Sequence, residues 1–194
     1  MKKGFTLIEL LIVIAIVAVL SVVVLITLNP VELLRQGRDS TRFSDMASIK
    51  SAIAYYLYGT SDQTQFNGTS SNCYVYRVGA QTHGTACGAR YGTFAVVSSS
   101  ITKTDATGWI PVNLSLVPAG SGGAPLATWP IDPAHPTVNI TFATQTFYTY
   151  VASTSPIGFY EISARLESTK FSSSSETDGG NNANLYEVGT NLDY

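Results

Sequence analysis

The chain has 194 residues, 12% of them charged, with 11 basic against 13 acidic side chains and a formal net charge of −2. Charged residues are thus scarcer than the roughly 25% of an ordinary soluble protein, and there is no basic excess to argue for nucleic-acid binding. Surface polarity has to come from Ser, Thr, Asn, Gln and Gly, and the length beyond an amino-terminal apolar segment suits a single globular domain of roughly 160 residues.

Met1-Lys2-Lys3-Gly4 is a short basic leader. From Phe5 to Leu28 the chain is apolar apart from Glu9 and a few hydroxyls. As a helix these residues span roughly 36 Å, enough to cross a bilayer with some tilt. A carboxylate in hydrocarbon costs on the order of 2.5–3.5 kcal/mol, so Glu9 is expected to have a function. An ordinary secretory signal is a poor fit: the basic region is short, the apolar run is long, and no small-x-small cleavage site follows. Ala15, Ala18 and Ser21 share one face at three-residue spacing, which suits close helix packing. A simple membrane anchor is the alternative, but an anchor has no use for Glu9.

Asn29-Pro30 predicts a kink or local unwinding, with the helix resuming at Val31. Phe43, Met46, Ile49 or Lys50, Ile53 and Leu57 then recur at three- and four-residue steps, the pattern of an amphipathic helix. The opposite side carries Arg35, Arg38, Asp39, Arg42 and Asp45. Asp39–Arg42 and Arg42–Asp45 are i,i+3 neighbours, read either as a solvated face or as charge pairing between neighbouring subunits. Gly37 weakens this helix by about 1 kcal/mol relative to Ala. Gly59 and the polar run from Thr60 to Asn72, in which Phe66 is the large apolar residue, end it.

The remainder reads as strand and loop. Tyr74–Val78, Tyr91–Val97, Phe147–Val151 and Phe159–Leu166 have strand composition or alternation, and Tyr186–Val188 adds a short edge. Pro111, Pro118, Pro125, Pro130, Pro133 and Pro136 divide the middle into turns, and Ser172 to Asn184 is expected to be a long mobile loop. The fold class is α+β: one long amino-terminal helix, apolar then amphipathic, packed through its second half on a carboxy-terminal antiparallel sheet. Cys73 and Cys87 could be free thiols, a metal pair or one disulfide. His83 and His135 do not complete a zinc spacing, and in an exported domain the disulfide is the preferred reading.

Lys3-Gly4-Phe5-Thr6-Leu7-Ile8-Glu9-Leu10-Leu11 resembles the class III signal of type IV pilins and pseudopilins. The resemblance implies that Gly4 is the last leader residue, cut by a prepilin peptidase at the cytoplasmic membrane face, and that Phe5 becomes an N-methylated amino terminus. Glu9 would pair with the Phe5 amine of the subunit already in a growing filament. Pro30 would sit where related helices lose regular structure on assembly. The implied parts are a leader over 1–4, a membrane and filament-core helix over 5–30, an amphipathic helix over 31–58 and a β-rich head over 59–194. The implied partners are identical subunits in a helical homopolymer, the peptidase, an inner-membrane assembly platform and, before assembly, the cytoplasmic membrane. The implied product is a cell-surface or extracellular filament for adhesion, motility or DNA uptake. A major pseudopilin of type II secretion and a membrane-tethered binding module that never assembles are the alternatives.

Trp129-Pro130-Ile131-Asp132-Pro133 resembles the Pro-x-Asp-Pro segment of major pseudopilins, and Asp178-Gly179-Gly180 resembles their calcium-holding loop. Asp178 and Asn181 are the calcium candidates, with Glu176, Glu187 and Asp193 as other acids of that region. This is a sparse set for an ion that takes six to eight oxygens, so a flexible acidic loop is the competing reading. Cys73 and Cys87 lie earlier than the cysteine pair common in type IV pilins. The chain lacks a phosphate-loop pattern, a His-x-x-His set and a Gly-x-Ser-x-Gly elbow, so no enzyme activity and no further cofactor are expected. His83 and His135 read as loop residues and the tyrosines as sheet packing. The Asn-x-Ser/Thr patterns at Asn67, Asn113 and Asn139 arise readily by chance in a Ser/Thr-rich chain.

Overall fold

The structure is a computed structural model that describes residues 4–60, 71–81, 87–92, 94–137, 139, 145–153 and 158–194. Lys2 and Lys3 of the leader, Phe66, the Asn67 pattern, His83 and the Ile140-Thr141 half of the Asn139 pattern lie outside the described residues.

Helix α1 runs Leu7–Leu28 and buries none of its side chains. Helix α2 runs Pro30–Gly59. Between them Asn29 adopts φ 40°, ψ 76°, the left-handed conformation that Asn tolerates better than most residues. Its Oδ1 accepts from the Glu32 amide at 3.4 Å, so it caps the helix that follows. Pro30 takes the first position of α2, where its missing N–H is not needed. At the far end the Thr60 amide and hydroxyl both donate to the Tyr56 carbonyl.

The buried stripe of α2 is Asp39, Arg42, Met46, Ile49, Ile53 and Tyr56, with Ala52 beside it. The steps alternate three and four residues, which keeps one face turned toward the head. Ile49 takes the inward position while Lys50 stays exposed; Phe43 and Leu57 flank the stripe half-buried. The expected solvated charged face needs correction, because Asp39 and Arg42 are fully buried. The inward stripe continues past its apolar part into these two charges.

Among the described residues five strands form one sheet in the order β2-β1-β3-β4-β5. They are β1 (Asn72–Tyr76), β2 (Ala95–Ser99), β3 (Thr149–Ala152), β4 (Tyr160–Ala164) and β5 (Tyr186–Gly189). The β1–β3, β3–β4 and β4–β5 pairs are antiparallel, and β1 and β2 are parallel, with Cys73 opposite Val96 and Val75 opposite Ser98. The sheet is therefore mostly antiparallel rather than wholly so. A parallel neighbour needs a crossover rather than a hairpin, and the segment holding Cys87 and the short helix α3 (Gly88–Tyr91) supplies it. This also corrects the strand expected over Tyr91–Val97: Tyr91 ends α3, Gly92 turns the chain at φ 63°, and β2 starts at Ala95.

Both faces of the sheet are covered. Tyr74, Tyr150, Tyr160 and Ile162 pack with Met46, Ile49, Ile53 and Tyr56 of α2, and Trp109 and Trp129 extend that core. Cys73, Val75 and Val151 face the other way, against Cys87, Tyr91 and Phe147. The expected mobile loop after Ser172 is hydrogen-bonded instead. A 3-10 turn spans Ser172–Ser174, and the Ser175 hydroxyl donates to Ser172 and Ala183 carbonyls.

Candidate assembly site on the amino-terminal helix

Phe5 is 86% exposed, and Gly4 has open space around it. Thr6 caps α1 in the extended conformation. Its hydroxyl accepts from the Glu9 amide at 3.3 Å, and Glu9 Oε2 accepts from the Thr6 amide at 2.9 Å and the Thr6 hydroxyl at 2.8 Å. This reciprocal box satisfies amides that a helix start otherwise leaves bare. Such caps contribute about 0.5–2 kcal/mol, less than the 2.5–3.5 kcal/mol or so for a carboxylate at membrane depth. The box offsets part of the cost of Glu9, and a cationic partner would remove the rest.

The other polar side chains of α1 are satisfied within the helix. Ser21 donates to the Val17 carbonyl at 2.7 Å and Thr27 to the Val23 carbonyl at 3.0 Å. Among the described residues α1 is the one helix long and apolar enough to cross a membrane, and at 22 residues it reaches about 33 Å. Glu9 is thus the sole ionisable group on an otherwise apolar rod, one turn from Phe5.

A buried ionic cluster fastens α2, the helix that continues from this rod, to the head. Arg42 grips Asp132 with two parallel hydrogen bonds of 2.8 Å, from Nε and Nη2. Its Nη1 reaches Asp39 at 2.7 Å and Glu167 at 2.8 Å. Asp39 accepts from the amides of Glu167 and Ser168 and from the Ser168 hydroxyl. Arg38 forks onto Glu167 at 2.6 and 2.9 Å, and Glu32 accepts from the amide and hydroxyl of Thr169. Partial burial pushes the Glu167 carboxyl up, but Arg38 and Arg42 outweigh it and hold it below the usual range. Burial opposes the Arg42 charge, yet its carboxylate partners leave the cation strongly favoured. The chemistry is that of a clamp, in which every charge has partners.

Other residues singled out in the sequence fall outside this arrangement. Cys73 and Cys87 are joined in a disulfide with Cα atoms 6.0 Å apart, beneath the sheet face away from α2. Asp178 accepts from the amides of Gly180 and Glu187, while the exposed Asn181 donates to the Tyr194 carbonyl oxygen. Among the described residues no group of three or more His, Cys, Asp or Glu side chains gathers as a metal cage. His135 sits edge-on to the Tyr76 ring at 5.2 Å. Asp132 belongs to the Trp129–Pro133 segment, but its role as the Arg42 partner was not read from sequence. The available signal was the spacing: Asp39 and Arg42 lie in register with Met46 and Ile49.

Comparison with curated proteins and with solved structures found no match. Residues 1–25 match the family model described as the prokaryotic N-terminal methylation motif, and the chain carries in them the class III signal sequence of type IV pilins and pseudopilins.

Proposed function

We propose that this chain is a structural subunit of a type IV pilus-like filament, polymerised through its amino-terminal helix. The observation that carries the reading is Glu9, a single acid on a fully exposed apolar helix, one turn beyond the residue of the methylation motif that would become the amino terminus. Cleavage between Gly4 and Phe5 by a prepilin peptidase creates an ammonium at Phe5, which is then N-methylated. In the precursor the Thr6 box holds the Glu9 carboxylate. In the filament Glu9 finds the Phe5 amine of the preceding subunit, so the charge that is unfavourable in lipid becomes a paired one. Pro30 and Asn29 give the helix a joint between its core part, residues 5–30, and the 31–58 part held to the 59–194 head. Repetition of this contact does not close, which is the geometry of a fibre. The precursor resides in the cytoplasmic membrane with its assembly platform, and the product lies at or beyond the cell surface.

A pseudopilin of type II secretion is the second reading. It is favoured by Asp132, which anchors the Trp129–Pro133 segment to Arg42 as a structural element. Long sheared filaments made of this chain support the pilus; short structures, with calcium-dependent stability at Asp178 and Asn181, support the pseudopilus. The direct test of the assembly reading is Glu9→Val. Processed subunit is expected to accumulate in the membrane fraction while filament yield falls at least about tenfold, the loss of a pairing term of roughly 1.4 kcal/mol or more. Filaments in normal number from Glu9→Val sink the pairing reading.

A further inference from the structure

Glu161 of β4 and Glu187 of β5 are almost wholly buried, at 0% and 2% exposure. The register places Glu161 opposite Gly189 and Ser163 opposite Glu187. The two glutamates are therefore diagonal neighbours on the sheet face away from α2, a spacing that long side chains bridge. Among the described residues neither oxygen of Glu161 has a hydrogen bond of good geometry, while the Glu187 carboxyl, the Tyr91 hydroxyl and the Tyr194 backbone are close enough to act on it. Glu187 Oε2 accepts from the Asn182 amide at 3.1 Å.

Among the described residues the groups that face the pair are few. From α3, Arg90 lies over the Phe147 ring at 3.8 Å and donates to the Phe147 and Gln145 carbonyls and to Ser163. Beside it the Tyr91 hydroxyl bonds Thr149 and Ser163. The Tyr194 backbone reaches Glu161, and the Tyr194 hydroxyl donates to the Phe159 carbonyl. From the loop before β5, Asp178 accepts from the Glu187 amide at 2.7 Å. Arg165 and Asp132 act on Arg90 from further away. With one proton between them the two glutamates carry one negative charge against the one positive charge of Arg90. Loss of that proton leaves a second charge that Arg90 alone among these groups cannot balance, on side chains almost wholly out of water, which a protein interior disfavours strongly.

The element covering this pair is thin and tightly fitted. β5 is an edge strand of four residues. A Cβ on Gly180 would stand 1.9 Å from Glu187 Oε2, and one on Gly189 would stand 2.0 Å from the Tyr160 carbonyl oxygen. We propose that Glu161 and Glu187 form a proton-dependent latch for β5 and the carboxy-terminal residues, closed while the pair keeps a shared proton and released when that proton leaves. Burial, then the Glu187 carboxyl, push Glu161 up to about 8, and burial pushes Glu187 the same way. For acids raised on folding, the stabilisation is complete below the ordinary carboxylate value near 4.5 and is lost as pH climbs through about 8.

The test is backbone hydrogen exchange on the full chain in detergent micelles at pH 6 and pH 9, expressed as protection factors so that intrinsic exchange cancels. Protection over Tyr186–Gly189 is expected to fall at least about tenfold between the two conditions, one pKa unit's worth, while Cys73–Val75 and Thr149–Val151 keep theirs. Glu161→Gln is expected to equalise β5 protection at the two pH values, and Glu187→Gln to do the same should the first variant not fold. Unchanged β5 protection in the native chain, an equal loss across the whole sheet, or an undiminished pH response in the folded variant overturns the latch.

Discussion

Arg42 concentrates the energetics of the head in one side chain. Arg42→Met removes a cation from among Asp39, Asp132 and Glu167, and the first two are fully enclosed, with side-chain exposures of 0%. Breaking a buried pair from one side costs about 3–5 kcal/mol, because the remaining carboxylates are stranded. Denaturant unfolding at pH 7 is expected to show that loss, with Arg35→Met, at an exposed position two turns earlier, within about 0.5 kcal/mol of the native chain. The Arg42→Met deficit should shrink at pH 4, because the native chain loses there the stabilisation that comes from Arg42 holding the Glu167 carboxyl low. Arg42→Lys should recover only part of the loss, since an ammonium cannot reproduce the two parallel bonds to Asp132. A deficit that is the same at pH 4 and pH 7 would place the loss in packing rather than in charge.

At the scale of elements, the Cys73–Cys87 loop does more than close itself. It carries α3 under the sheet and presents Arg90 and Tyr91 to the polar side chains of β3 and β4. A cross-link of this length contributes about 3 kcal/mol in the chain-entropy account. The Cys73→Ser, Cys87→Ser double variant is expected to lose about that much in denaturant unfolding, and an unchanged midpoint would show that α3 is held by its contacts alone. How far such elements could be read in the sequence depended on whether their causes were local. The apolar run of α1, its one acid and the Asn29-Pro30 joint are consecutive residues, and the helix break falls where they place it. The charged end of α2 was misread because Arg42 finds Asp132 at a separation of 90 residues, which no periodicity reports. The direction of β2 was equally hidden, since a strand of five residues has the same composition in either sense. Glu161 and Ser163 are the polar positions of an alternating strand, and alternation does not report that α3 and Tyr194 pack on that face and that both side chains are buried.

Over the whole molecule the two acid clusters give opposite pH signs. Glu167 is held low by Arg38 and Arg42, so its contribution is present above the ordinary value near 4.5 and is lost as pH falls. Glu161 and Glu187 are raised, so theirs is lost as pH climbs toward about 8. Together they place the thermal stability optimum of the head on the acid side of neutrality, and a melting temperature that rises steadily from pH 5 to pH 9 would contradict the balance. The head is joined to an apolar rod with no covering side chains of its own, so the form of the molecule outside a bilayer depends on neighbours. If those neighbours are identical chains, Glu9 needs an amine at Phe5, and that amine exists only after the Gly4–Phe5 bond is cut. Gly4→Glu puts bulk and charge beside that bond and should leave the chain uncut, membrane-bound and unassembled. Intact-mass measurement on sheared filaments is then decisive: every subunit should begin at Phe5 and carry one added methyl group, while filaments whose subunits retain Met1 would separate assembly from processing and remove the partner of Glu9.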